Sequence, residues 1–372
     1  PDAPAWLVTE LNAISDAVEA ALAQFDPPAL DKTTAPLTEG LKATRNLIAE
    51  VKNSSLSDIA RDHILFLLNR KETQFQEALQ KSLALDVEVA VEPDELPTGA
   101  FAAFATVPTF NHVIPGQNFT ASVRLVNRSR VEVTPTVLEI RVPQGWTAVP
   151  DRVDLKPLGY QDVMSARFRI RLADDAEPTR PYWYRDSIEE AVYKIDKPNY
   201  LTYPFPPSPA WAMIKLDVFG TPIEVNEPIR VTLHDPQYGT THPPLTVVPA
   251  ISVRVAPEHG IIPLGRSEYK ISVVVHSNAK GSAQGTVRLR LPAGWRSRPE
   301  SASFAFAKED EEATYDFMLS VPAGLREEAY TLQTVASHNG REYTEGYVTV
   351  TARDLGRFNL YRPAKHHVRS VD

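Results

Sequence analysis

Apolar residues return at steps of three and four through roughly the first eighty positions, then at every second position for most of the remaining chain. Leu7, Leu11, Ile14, Val18, Leu22 and Phe25 make one apolar stripe on a predicted first helix. The prolines of "FDPPAL" stop it, because Pro cannot continue a helix. A second helix is predicted to begin near Pro36, a residue favoured in a first turn, and it carries Leu37, Leu41, Ile48 and Val51. "NSSLSD" offers N-cap residues to a third, long helix with Ile64, Leu68, Phe75, Leu79 and Leu83. Residues 1–84 therefore read as a helical domain, an antiparallel bundle or hairpin.

From residue 85 the alternation predicts strands, and the pattern occurs twice. Phe119, Ala121, Val123 and Leu125 share one face in "FTASVRLVN". Tyr269, Ile271, Val273 and Val275 take the matching places in "YKISVVVH". Leu138, Ile140 and Val142 lead into "VPQGW", and Val287, Leu289 and Leu291 lead into "LPAGW". Phe168, Ile170 and Leu172 then correspond to Phe317, Leu319 and Val321. "FGTPIEVNEPIRVTLHD" parallels "NGREYTEGYVTVTARD" further on. This is an internal duplication, with about seven strands predicted per copy. The copies occupy 85–240 and 241–355, and 356–372 reads as a C-terminal linker.

The repeated Pro-x-Gly-Trp has a structural reading. A strand ends at Pro143 or Pro292, and Gly145 or Gly294 permits a turn with positive φ. Trp146 or Trp295 can then pack over one end of a sandwich core, where an indole contributes a large apolar area.

The first copy carries more than the second. An insertion at 184–210 and its flanks concentrate Tyr182, Trp183, Tyr184, Tyr193, Tyr200, Tyr203, Phe205 and Trp211. A longer stretch, 92–112, separates its first two strands. Aromatic loops on a rigid sandwich can take a sugar or a protein by stacking and shape, which makes Tyr182, Trp183, Tyr184, Tyr200, Tyr203, Phe205 and Trp211 candidates for a ligand or interface surface. The competing reading is that they cover a sheet edge or join neighbouring domains.

Composition narrows the class. A chain of 372 residues with 43% hydrophobic and 23% charged residues is an ordinary globular protein of two or three domains. Its net charge of -8 leaves no basic stripe for nucleic acid. With no cysteine there is no disulfide, thiolate zinc site or cysteine nucleophile. No apolar run is long enough for a membrane-spanning helix. Nine histidines are scattered without HExxH or HxH spacing, and there is no GxSxG, Walker or GxGxxG motif. His234–Asp235, the His366–His367 pair and Asp62–His63 come closest and are weak as metal sites. The runs "DEL" and "KEDEEA" read as solvated loops, and "NSS", "NFT" and "NRS" fit a glycosylation sequon. No catalytic or metal-binding constellation is expected. Both ends, "PDAPAWLVTE" and "YRPAKHHVRSVD", read as cuts from a longer chain.

The run "VPAISVRVAPEHGIIPLG", then "YKISVVVHSNAKGSAQGTVRLRLPAGWRSRPESASFAFAKEDEEATYDFMLSV", "REYTEGYVTV" and "FNLYRPA", resembles the C-terminal region of long bacterial PIG-L/LmbE-family deacetylases. "TRPYW" at 179–183 and the helical stretch fit the same region. The sandwiches also look like the Ig-like NEW3 module associated with alpha-galactosidases. The resemblance implies a helical bundle or hairpin followed by two tandem Ig-like antiparallel β-sandwiches. It implies a parent chain that removes acetyl groups from N-acetylated sugars, with zinc held in a separate catalytic domain by an Ala-His-Pro-Asp-Asp-type loop. That motif is absent here, so no catalytic residue and no cofactor is carried over. This segment would be a non-catalytic accessory part whose partner is its own catalytic domain. A glycan or a second copy of the chain are further candidate partners. Long members often look exported, which implies a periplasmic or secreted setting. The alternatives are a stand-alone carbohydrate-binding or cell-surface module, and a hydrolase in its own right.

Overall fold

The computed structural model describes the chain apart from residues 1–3, 94–108, 186–188, 202, 204, 236–238, 323 and 353–355. Three helices come first, α1 (Ala5–Ala23), α2 (Thr34–Lys52) and α3 (Asp58–Ser82). A 3₁₀ segment, Pro27–Thr33, joins the first two. Ser57 starts α3 by turning extended and accepting the Ala60 N–H at 3.4 Å, with Asp58 in the positive first turn. α2 lies between the other two helices. Gly40 lets it approach the Phe75 ring closely, since a Cβ there would collide with the ring.

The apolar stripe expected on α1 is narrower than predicted. Leu7, Ile14 and Ala21 are buried, whereas Leu11, Leu22 and Phe25 are exposed. The helix rests on α2 and the 3₁₀ segment without contacting α3 substantially, so one residue every seven suffices to line its contact.

The first sandwich begins with β1 (Leu85–Val91), β2 (Asn118–Asn127), β3 (Thr134–Arg141), β4 (Thr147–Arg152) and β5 (Val163–Arg171). Two short strands, β6 (Trp183–Tyr184) and β7 (Lys194–Ile195), pair within the insertion. β8 (Trp211–Val218) and β9 (Thr221–Pro228) form a hairpin, followed by the small ribbon β10 (Leu233–Asp235) and β11 (Gly239–Thr241). The sheets are ordered β1-β2-β5-β4 and β3-β8-β9.

The second sandwich uses β12 (Ile251–Ala256), β13 (His259–Pro263), β14 (Glu268–Ser277), β15 (Ala283–Arg290), β16 (Arg296–Arg298), β17 (Ser301–Phe306) and β18 (Glu312–Ser320). β19 (Ala329–His338), β20 (Arg341–Tyr343), β21 (Glu345–Ala352), β22 (Gly356–Pro363) and β23 (Lys365–Val371) complete it. One sheet runs β12-β14-β18-β16 and repeats the β1-β2-β5-β4 order. In the other, β15-β19-β20 repeats β3-β8-β9. The hairpin turns coincide as well. Phe219–Gly220 has φ of 53° and 74°, and Asn339–Gly340 has 49° and 76°, the paired positive values of a two-residue I′ turn.

Three features differ from the sequence expectation. The segment 356–372 is not a linker: β22 pairs with β21, and β23 lies between β13 and β19. Its alternation was hidden because two of its inward residues, His366 and Ser370, are polar. The β13–β23 pair is parallel, so the sandwich is not antiparallel throughout. Finally, the helices do not own a separate core. Leu41, Leu47, Phe75 and Leu79 belong to one continuous apolar cluster with Val123, Phe168 and Leu216, and that cluster extends through Leu245 and Val247. Across this junction the outer edge of β9 is covered by α3. Gln76 accepts the Glu224 N–H at 2.9 Å, and Gln80 donates to the Glu224 carbonyl at 3.2 Å. An edge strand that would otherwise offer free backbone groups is partly satisfied by side chains.

Candidate functional site

Both Pro-x-Gly-Trp turns have the same geometry. The Trp146 N–H donates to Pro143 O and the Trp295 N–H to Pro292 O, each at 3.2 Å. Gly145 and Gly294 sit at φ of 84° and 82°, as the third residue of a type II turn requires. Trp146 is 8% exposed within the first core, and Trp295 is 6% exposed within the second, tilted against Tyr330 at 5.4 Å between centroids. These four residues build the ends of the sandwiches and present no reactive surface.

The aromatic insertion divides into a buried root and an open crown. Tyr182 is buried and donates its hydroxyl to the Tyr203 carbonyl, and its ring meets the edge of Tyr200 at 5.7 Å. Around β6 and β7, Trp183 meets Tyr193 edge-on at 5.1 Å, and the Arg185 guanidinium lies 4.8 Å over the Tyr193 ring. Trp183, Tyr184, Tyr193, Tyr203 and Phe205 are exposed, as are the apolar Val192, Ile195 and Leu201. Trp211, also exposed, opens β8 opposite Arg141 and Pro228. The seven predicted candidates therefore split. Tyr182 holds the loop, Tyr200 is half-buried against it, and Trp183, Tyr184, Tyr203, Phe205 and Trp211 face solvent. Most of the 92–112 stretch, with the "DEL" run, lies outside the described residues.

Directly before the insertion, the same loop anchors the second sandwich. Thr179 and Val247 exchange two hydrogen bonds, at 2.8 and 3.0 Å. Arg180 meets Glu345 of β21 at 3.0 Å, and Tyr347 donates to the Thr179 carbonyl. Tyr361 of β22 donates to Glu345 at 2.6 Å. Burial, followed by the Glu345 hydrogen bond, pushes the Tyr361 phenol up to about 12, and burial raises Tyr347 further still. Lys280 stands 4.7 Å over the Phe110 ring. Sequence reasoning missed this network, because Arg180, Glu345 and Tyr361 carry no local signal linking them.

A second feature was missed although its signal was present. In "RFRIR" the apolar residues point into the core, which sets Arg167, Arg169 and Arg171 in a row on the outer face of β5. They line an open cavity of about 600 Å³ with Glu92, Thr120 and Thr147. Arg167 already grips the Glu92 carboxylate through Nε at 2.8 Å and through Nη2. Arg171 reaches Asp174 at 3.1 Å, and Arg169 stands 3.9 Å from Asp151.

The histidines do not converge on a metal. Among the described residues no group of three or more His, Asp or Glu side chains could hold one. The zinc implied by the resemblance has no fitting donor set in these residues. No described helix is long and apolar enough to cross a membrane.

No protein-family model matches the chain, and no curated protein does either. Among solved structures, the apo form of the Calx CBD1 domain overlaps 33% of this chain and 98% of its own, at 13% identity and a TM-score of 0.21. Red sea bream transglutaminase overlaps 82% of this chain and 34% of its own, at 11% identity and a TM-score of 0.29. A protein of unknown function from Porphyromonas gingivalis W83 overlaps 77% of this chain and 99% of its own, at 8% identity and a TM-score of 0.23. None is related to PIG-L or NEW3 proteins. Likeness at this level carries no argument about activity.

Proposed function

We propose that this chain is a non-catalytic accessory segment that holds an aromatic contact surface at a fixed place on a rigid frame. The observation that supports this reading is the joint between insertion and frame. Trp183, Tyr184, Tyr203 and Phe205 stand open to solvent, while Tyr182 closes the loop that bears them on itself, and Thr179 and Arg180 tie it to Val247 of the first core and to Glu345 of the second sandwich. The helices share one core with the first sandwich, so a domain joined to them would be held at a set distance from those rings. On the resemblance of residues 245–363, the parent would be a PIG-L/LmbE-like zinc-dependent deacetylase of N-acetylated sugars, working outside the cytoplasm. The segment would position substrate or a neighbouring domain. Immunoblotting of source cells with an antibody raised against this chain tests the reading. A band near twice the 41.3 kDa of the chain supports an attached catalytic domain, and a band at 41.3 kDa sinks it.

The exposure of the crown also favours a second reading, a stand-alone carbohydrate-binding or cell-surface module. Exposed Trp and Tyr rings offer apolar faces on which sugar rings can stack. Titration with N-acetylated oligosaccharides should then quench the fluorescence of Trp183, and an unchanged spectrum at millimolar sugar would count against it.

A further inference from the structure

The last strand, β23, reads Lys365-His366-His367-Val368-Arg369, four basic or titratable residues in five. It is the central partner of two others: β13 pairs with it in parallel and β19 antiparallel. Among the described residues β13 has no other strand partner. Alternation sends His366 inward and His367 outward.

Inside, His366 is 1% exposed. Its Nδ1 lies 2.6 Å from the Pro257 carbonyl and so carries the proton, while Nε2 is buried without a partner. The Tyr269 ring of β14 lies 5.5 Å away, and its hydroxyl fills the space left by Gly260. β12 contributes the apolar Ile251, Val253 and Val255 to this core. A second proton on His366 would place a full charge where nothing accepts its hydrogen bond.

Outside, His367 stacks on His259 of β13 with centroids 5.5 Å apart and planes 24° from parallel. Its Nδ1 contacts the Thr331 hydroxyl of β19 at 3.2 Å. The charged neighbours are Lys365 and Arg369 on β23, with Glu258 on the approach to β13. Glu258 is the one acid among them, and Arg362 already pairs with it at 3.5 Å. Two imidazolium rings at this distance repel, with too little negative charge nearby to offset them.

We propose that β23 is a pH-released strap: protonation of His366 and of His367, stacked on His259, in mildly acidic solution frees it from between β13 and β19. The release would reach the sandwich junction, because β23 continues from β22. Ala364, between these strands, bonds Thr344 and Thr334 at 2.9 Å each, next to Glu345 and Tyr361.

The direction follows from the folded environment. Burial holds His366 below the ordinary imidazole value against the opposing Pro257 bond, and His367 and His259 lower it further. Burial, then His259 and Lys365, hold His367 down as well. Depressed imidazoles are neutral in the closed state. Their contribution is intact above about pH 6.5 and is lost as pH falls below it toward the folded-state values.

Hydrogen–deuterium exchange of the full chain at pH 7.5, 6.5, 5.5 and 5.0, corrected for intrinsic rates, tests the strap. Protection in β13 and β23 should fall by up to about tenfold per pH unit for each proton taken up, while α2 and α3 keep theirs. The His259→Gln/His367→Gln variant alters only exposed rings, so it should fold and show a shallower pH slope in β23. Protection in β23 that stays flat from pH 7.5 to 5.0 overturns the proposal. A loss shared equally by the helices, or an unchanged slope in the variant, overturns it too.

Discussion

Arg180 and Glu345 meet at 3.0 Å across the junction of the two sandwiches, and the same carboxylate oxygen accepts the Tyr361 hydroxyl at 2.6 Å. Glu345 thereby joins a loop of the first sandwich to both strands of the β21–β22 hairpin. Its side chain is only 17% exposed, so the pair is not a freely solvated surface bridge. Glu345→Gln should leave Arg180 without its counter-charge and destabilise the protein by about 1–3 kcal/mol. Denaturant unfolding measures that cost, and solution scattering should show a broader spread of sandwich orientations. An unchanged midpoint and scattering curve would show that other contacts carry the junction.

Tyr361 and Tyr347 should ionise above the ordinary tyrosine range. Both phenols are raised in the folded state, Tyr361 to about 12, chiefly by burial. A raised folded value means that the neutral form is favoured by folding. The stability this contributes is complete below about pH 10, the unfolded tyrosine value, and is lost as pH rises toward 12. Absorbance near 295 nm should therefore show a late step that coincides with loss of the sandwich junction. Tyr361→Phe should remove part of that step, and Glu345→Gln should move it to lower pH.

Gly294 of the second repeated turn and Gly281 of the β14–β15 loop are two kinds of glycine. Gly294 sits at φ of 82°, and a Cβ there would stand 3.1 Å from Pro322 Cγ. Gly294→Ala should cost about 1–2 kcal/mol, the penalty of left-handed backbone for an L-residue. Gly281 has no positive φ and nothing within 4 Å of its would-be Cβ, so Gly281→Ala should be neutral within about 0.5 kcal/mol. Thermal unfolding of the two variants decides it, and equal losses would remove the backbone explanation.

How far the fold was legible depended on how local its causes are. Period and alternation identified the helices and the core faces of β2, β5, β14 and β18, because each face is buried on one side only. The duplication was visible because Pro-x-Gly-Trp and the β8–β9 and β19–β20 turns each depend on a few adjacent residues. The β23 strand was missed because His366 and Ser370 break the apolar code while still pointing inward. On α1 the error ran the other way: Leu11, Leu22 and Phe25 fit the helical period but have no partner face to bury them. For the candidate surface, the aromatic cluster was legible from composition. Which ring is root and which is crown depended on the Tyr182–Tyr203 bond, a tertiary contact without a sequence signature.

That division into root and crown yields the sharpest test of the contact surface. Tyr182 is 5% exposed and bonded through its hydroxyl, so Tyr182→Phe leaves the Tyr203 carbonyl without its donor. The expected cost is about 1–3 kcal/mol, read as a lower unfolding midpoint. Trp183 is 39% exposed and touches Tyr193 only edge-on, so Trp183→Ala should shift the midpoint by little more than the value of an aromatic pair, about 0.5–1.5 kcal/mol. If the crown is a binding surface, the two variants should part on ligand or partner binding. Trp183→Ala should weaken it by about tenfold or more, as truncation of a central aromatic does. Tyr182→Phe should weaken it only as far as it loosens the loop, and should recover at lower temperature. Binding that survives Trp183→Ala while failing in Tyr182→Phe would place the contact on the loop backbone and not on the exposed rings.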